Sequence, residues 1–454
     1  MQDVISYINS NREKYVDELK ELLRIPSIST LAENKTDMMT AANFVLDKLT
    51  DAGMENARII ETKGHPLVYA DWLHAPGKPT VLVYGHYDVQ PVDPIDLWDS
   101  PPFEPTIKGD NIYARGATDD KGQMYMHIKT AEAFFKTQGK PPLNLKFIIE
   151  GEEEIGSGNL ENFVNKNQDM LKCDAVMISD TSLYGPGIPT LTYGLRGLCY
   201  MEIQVTGPNR DLHSGTFGGG VDNPINVLAE MISKLKDKNG KIKIPGFYED
   251  VINLTKKERE NFKRLPFSEK QYAKTLGVKE LKGEKGYTTL ERVWARPTLD
   301  CNGIFGGFTG EGAKTVLPSK ATAKISMRLV PDQDPKKIGK LFTKYINKIA
   351  PKSVKLEIKD LHGAYPIATS LDDKATTAAA NALSKVFGKK TVFMREGGSI
   401  PIVVTFAKKL KAAPVLMGMG LNTENLHSPN EHFNLNHFHL GILSSAYFLD
   451  EFSK

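Results

Sequence analysis

The sequence predicts an α/β protein: a mixed, largely parallel sheet flanked by helices, with a smaller α+β domain inserted into it. Three observations predict this. Short apolar, β-branched runs at residues 79–84, 143–149 and 175–178 read as strands buried on both faces. A helical run at 123–135 lies between the first two, and strand, helix, strand at that spacing suggests a parallel crossover. From about Gly197 the texture changes, and 198–205 alternates weakly, as a half-exposed antiparallel strand does.

The other elements follow along the chain. Tyr15, Val16, Leu19, Leu22 and Leu23 recur at helical spacing until Pro26 ends the pattern, and a second amphipathic run spans 39–49. In the insertion, Asp222-Asn223-Pro224 opens a helix with apolar Ile225, Leu228, Met231, Ile232 and Leu235. Residues 236–285 are lysine-rich and weakly patterned, which reads as a solvated face. A strand is expected at 321–330, a helix at 335–349 and a strand at 354–358. After about Leu371 a helix covers 375–387. Another opens at Ser399-Ile400-Pro401, with Ser399 as candidate N-cap, and 413–417 reads as a further strand of the main sheet. The expected boundaries are 1–196 for the first part of the main domain, 197–371 for the inserted domain and 372–454 for the second part.

Composition narrows the function. Hydrophobic residues at 40% and charged residues at 25% are ordinary globular usage and argue against disorder. Lys+Arg 58 against Asp+Glu 55 leaves +3, too balanced for a nucleic-acid or anionic-membrane partner, and no basic stripe interleaved with aromatics appears. Cys173, Cys199 and Cys301 lie far apart and form no CxxC pair, so all three are expected to be buried small hydrophobes rather than disulfides or zinc ligands. The opening Met1-Gln2-Asp3-Val4-Ile5-Ser6 has neither a basic nor an apolar leader region, and no apolar run approaches a membrane span. The expectation is a soluble, cytoplasmic protein.

Chemistry concentrates where three buried strands end. The first runs into Gly85-His86-Tyr87-Asp88, the second into Glu150-Gly151-Glu152-Glu153-Glu154 and the third into Ser179-Asp180. Ligands of open α/β sheets bind beyond the carboxyl ends of the strands, so these carboxylates and the imidazole converge on one edge. Such a cluster would repel itself unless a dication compensates it. His86 and Asp88, two apart on an extended chain, point the same way, so Asp88 is placed to accept the second ring N–H of a metal-bound His86. Arg115-Gly116-Ala117-Thr118-Asp119-Asp120-Lys121-Gly122 puts two adjacent carboxylates in a glycine-flanked turn, and His427 follows the fourth strand. His65, His74, His127, His432, His437 and His439 read as ordinary core or surface residues. The glycine-rich 215–220 lacks the following Lys-Ser/Thr of a phosphate loop, and no G-x-S-x-G elbow supports a serine hydrolase.

Together these residues resemble the M20 metallopeptidases, a family of carboxypeptidases, aminoacylases and dipeptidases with a co-catalytic dimetal site. The resemblance runs through Tyr84-Gly85-His86-Tyr87-Asp88-Val89-Gln90-Pro91-Val92, 109–122, 150–157, Ser179-Asp180, Asp211-Leu212-His213-Ser214-Gly215 and Leu426-His427-Ser428. Lys314-Thr315-Val316, Met327-Arg328-Leu329-Val330-Pro331 and Arg395-Glu396-Gly397-Gly398-Ser399-Ile400-Pro401 look most like the cytosolic nonspecific dipeptidase and carnosinase branch.

The resemblance implies a zinc-peptidase-like catalytic domain, an inserted lid and dimerisation domain, and two divalent cations, Zn²⁺ by default with Mn²⁺ open. It implies Asp119 as the bridging carboxylate, with a cis Asp119–Asp120 peptide. His86 and Asp180 would complete one metal and Glu154 and His427 the other, with Glu153 as the catalytic base. Arg328 would clamp a substrate carboxylate. His213, as an oxyanion donor, and Thr315 would be offered by the lid of a partner subunit. His362, Gly398 and Ser399 would touch substrate. The activity implied is hydrolysis of dipeptides or short peptides with a free C-terminal carboxylate, by a homodimer. An N-acyl-amino-acid deacylase on the same scaffold is the alternative, and a non-catalytic binding protein is disfavoured because every ligand and the base are present.

Overall fold

In the computed structural model, residues 1–398 and 400–454 are described. Two compact units form. The first comprises Met1–Tyr193, Thr369–Met394 and Pro401–Lys454, and the second Gly194–Ala368 and Arg395–Ile400.

The first unit is built on a mixed sheet with a parallel centre. Asn144–Glu150, Thr80–His86, Ala175–Ile178 and Ala413–Leu416 lie side by side in that order, each parallel to the next. Leu67–Trp72 and Glu55–Ile60 extend one side antiparallel, and the strand starting at Thr190 borders the other. Most residues of the four central strands are buried, as their uninterrupted apolar runs require.

Side chains alternate across this sheet. Val81 and Val83 join the large core that includes the helix Lys121–Gln138, while Tyr84 meets Phe406 of the helix Pro401–Leu410 at a ring distance of 5.4 Å. Lys121–Gln138 is buried along its first fourteen residues and packs against Gln2–Ser10, Lys35–Ala52 and Leu435–Phe452. Its start is pressed tightly into place. A Cβ on Gly122 would lie 2.0 Å from the Ala117 carbonyl oxygen, and one on Gly85 would lie 2.6 Å from Met124. Only glycine fits either approach.

The second unit is α+β. An antiparallel sheet runs in the order Thr298–Gly306, Lys320–Leu329, Gly197–Thr206, Lys355–Ala364. Gly197–Thr206 alternates buried and half-buried along its length, as its sequence anticipates. The helices Pro224–Ser233 and Pro335–Ile349 pack on this sheet over a separate core. Asn223 caps the first by accepting the Ile225 N–H at 2.9 Å.

The structure departs from the sequence reading within the second unit. The lysine-rich stretch holds the helices Lys256–Arg264 and Glu269–Thr275. Cys301 is exposed on the outer strand Thr298–Gly306 and only Cys173 and Cys199 are buried, because the side chains of an edge strand need not face the core. Among the described residues, no helix is long and apolar enough to cross a membrane.

Candidate metal centre

The carboxyl ends of the parallel strands deliver the first donors. His86 is the last residue of its strand and is wholly buried. Its Nδ1 lies 3.0 Å from the Asp88 carbonyl oxygen and 3.3 Å from Asp88 Oδ1, which makes Nδ1 the protonated nitrogen and turns Nε2 into a free ligand. Among the described residues Nε2 has no hydrogen-bond partner, and it faces Asp119 Oδ1 at 3.3 Å. A buried imidazole nitrogen without a hydrogen-bond partner, beside a carboxylate oxygen, is suited to ligate a cation.

Two triads share Asp119. His86, Asp119 and Asp180 form one, and Asp119, Glu154 and His427 the other, with the ligand atoms of each within 4.8 Å of one another. His427 Nε2 is 2.8 Å from Asp119 Oδ2 and 3.4 Å from Glu154 Oε2. The Asp119–Asp120 peptide is cis, as the resemblance implies. The imidazole and carboxylate donors fit divalent cations of the zinc or manganese type.

The electrostatics of the bare cluster describe its need for positive charge. Burial raises Glu153 to about 7 and Glu154 to about 8, with Asp119 adding to both. Asp180 is raised well above the carboxylate range by burial and then by Asp119 and Glu153. Burial would raise Asp119 too, but His427 and His86 hold it below the usual range. Its hydrogen bond to Asp119 lifts His427 to about 9. These shifts share one cause, the crowding of buried negative charge, which a divalent cation at the cluster would offset.

Asp88 does more than face His86. Its carboxylate accepts the backbone N–H groups of Glu153 at 3.2 Å and Glu154 at 3.1 Å. The two glutamates are therefore pinned to the strand that carries His86. Glu153 is half-buried and stands in the field of His86, Asp119, Asp88 and His427.

The remaining predicted residues belong to the second unit. His213 is exposed, and its Nδ1 accepts the Gly215 N–H at 3.0 Å. Pairing of Leu212–His213 with Val316–Leu317 brings it beside Thr315, whose carbonyl accepts the Ser214 N–H. Arg328 is half-buried on the strand Lys320–Leu329, in the field of Arg196. His362 is exposed and meets Tyr200 edge-on at 5.1 Å. Gly398 is exposed, and Ser399 lies outside the described residues.

Sequence reasoning missed several supporting residues. Gln90 donates to Glu154 Oε2 at 2.8 Å, although it lies within a motif already singled out. Glu431 accepts the Thr118 N–H and Glu424 the Thr118 hydroxyl, and nothing in the local sequence marks a lone acid for that work. Of the histidines read as ordinary, His127 is buried between Ser179 Oγ and Ser445 Oγ, and His432 stacks on Tyr113.

Comparison with known proteins gives the same picture. The family model described as Peptidase family M20/M25/M40 matches residues 82–451. The chain is 36% identical over 452 residues to the Cys-Gly metallodipeptidase dug1 of Schizosaccharomyces pombe, covering 96% of this chain and 94% of that protein. It is 32% identical to the Beta-Ala-His dipeptidase of Homo sapiens, covering 99% and 92%. Among solved structures, the M20 family metallo-carboxypeptidase Sso-CP2 from Sulfolobus solfataricus superposes with a TM-score of 0.87 at 36% identity, covering 97% and 99%. The chain is a metallopeptidase and belongs to the M20 peptidase family.

Proposed function

We propose that the protein hydrolyses dipeptides or short peptides carrying a free C-terminal carboxylate, using two divalent cations held by His86, Asp119, Glu154, Asp180 and His427. The observation that carries this reading is the pair of triads sharing Asp119, with Glu153 beside them. The names of the dipeptidase relatives support the substrate class. Zn²⁺ is the first candidate for this donor set and Mn²⁺ the second. When bound, such cations supply Lewis acidity and a water that ionises near neutral pH.

The chain's own side chains do the rest. Glu153 takes the proton of the attacking water and returns it to the leaving amine, a task suited to a carboxyl whose pKa burial has raised. Asp88 fixes the His86 ring and the backbone that bears Glu153. With Nδ1 of His213 occupied by the Gly215 N–H, the neutral ring carries its proton on Nε2 and presents a donor to a developing oxyanion. The Arg328 guanidinium binds the substrate carboxylate as a planar fork. His362, Gly398 and Ser399 border the substrate.

The inserted domain, expected over residues 197–371, is in this proposal a lid and dimerisation domain that offers His213 and Thr315 to the partner's site in a homodimer. A cytoplasmic setting belongs to the same proposal, supported by three free cysteines. The test is a hydrolysis panel of dipeptides, tripeptides, C-terminally amidated peptides, and N-acetyl and N-succinyl amino acids, with and without a chelator. Chelator-sensitive cleavage of free dipeptides, lost on amidation, is expected. Preferential cleavage of the acyl amino acids would replace the dipeptidase reading with the deacylase one.

A further inference from the structure

One buried carboxylate in the first unit binds the loop that presents Asp119 and also lies next to the loop that presents His427. Glu431 is wholly buried. Its Oε2 accepts Arg115 Nη1 at 2.6 Å and the Gly116 N–H at 3.0 Å. Its Oε1 accepts the N–H groups of Thr118 and Asp119, each at 3.1 Å. Two donors thus converge on each oxygen, which only an ionised carboxylate satisfies. A buried negative charge is retained at such a place only when it is this fully bonded.

Its position in the chain gives the arrangement its use. Glu431 lies four residues after His427. Glu424, three residues before His427, accepts Thr118 Oγ1 at 2.7 Å. Both flanks of the His427 loop therefore bond the stretch that ends at Asp119, Glu431 through its backbone N–H groups and Glu424 through the Thr118 hydroxyl. Between these anchors His427 Nε2 lies 2.8 Å from Asp119 Oδ2.

We propose that Glu431 is a positioning residue of the metal centre: it fixes the separation of Asp119 and His427 by holding the Gly116–Asp119 backbone against the segment that carries His427. This rests on the metal-centre reading above. Glu431→Gln keeps the shape but turns an amide NH₂ toward two donors, so the loop must shift. Glu431→Asp keeps the charge facing Arg115 but withdraws the oxygens by one methylene.

The experiment uses the full chain, stripped of metal and titrated with Co²⁺, reading the visible absorption bands and the affinity. Wild type is expected to bind and develop the bands. In Glu431→Gln the affinity should fall by about ten- to a hundredfold, the usual effect of losing such a supporting residue, with altered bands at an unchanged far-UV circular dichroism spectrum. Glu431→Asp should show a smaller loss in the same direction, and it decides the matter if the Gln variant does not fold. A purely structural role would lower the unfolding midpoint and leave the bands and affinity of the folded protein alone, and that result overturns the proposal. Failure of wild type to take up Co²⁺ would instead overturn the metal-centre reading on which it rests.

Discussion

Glu153 and Glu154 are neighbours pinned by one carboxylate, yet they have different work in the proposed reaction. Glu154 faces His427 and Asp119, with Oε2 also accepting from Gln90, while Glu153 belongs to neither triad. Glu153→Gln should therefore cut turnover by about a hundred- to ten-thousandfold, the range of general acid–base catalysis, while metal content stays at the wild-type level. Full turnover in that variant, or loss of metal, would reassign the base. At this scale the sequence was informative about His86, Asp119 and Asp180, because each follows a recognisable strand or a glycine-flanked turn. Three consecutive glutamates carry no such marker, and only the resemblance gave Glu153 and Glu154 separate roles; the structure adds that Glu154 joins a triad with Asp119 and His427.

The helix Lys121–Gln138 links the metal loop to the core, and two predictions belong to it. His127 sits on its buried face, with Nε2 donating to Ser179 Oγ, whose own proton goes to the Met417 carbonyl, and Nδ1 accepting from Ser445. Burial lowers its pKa from 6.5 to about 4. The unfolded chain therefore takes up a proton that the folded chain refuses as pH falls below 6.5. The stability tied to neutral His127 is complete above 6.5 and drains away toward pH 4, by up to about 3 kcal/mol. Urea unfolding across that window should show a steeper acid loss in wild type than in His127→Gln, and parallel profiles would refute it. Gly122→Ala should cost about 1–3 kcal/mol through the clash with the Ala117 carbonyl and weaken metal retention by displacing the Asp119 loop. A wild-type urea midpoint would show that the approach is looser than described. The strands and long helices were legible because their apolar periods are strong. The helices at Lys256–Arg264 and Thr289–Trp294 went unread although Thr255 and Glu258, and Thr288 and Glu291, spell capping boxes, since charge-rich faces give no apolar period to accompany them.

For the whole molecule, the proposed homodimer would put Glu153 and His213 of one working site on different subunits. Mixing Glu153→Gln with His213→Ala, each nearly inactive alone, should then restore about a quarter of wild-type turnover after random re-pairing of the subunits, since half the dimers gain one intact site. No recovery would mean that each chain completes its own site. How such a site is shared could be reached only by resemblance, because no periodicity or motif in a single chain encodes its partner. The most direct test of the central claim is an anomalous-scattering map from crystals grown with Zn²⁺ or Mn²⁺. Two peaks are expected, one against His86, Asp119 and Asp180 and the other against Asp119, Glu154 and His427. Peaks elsewhere, or none at these side chains, would contradict it.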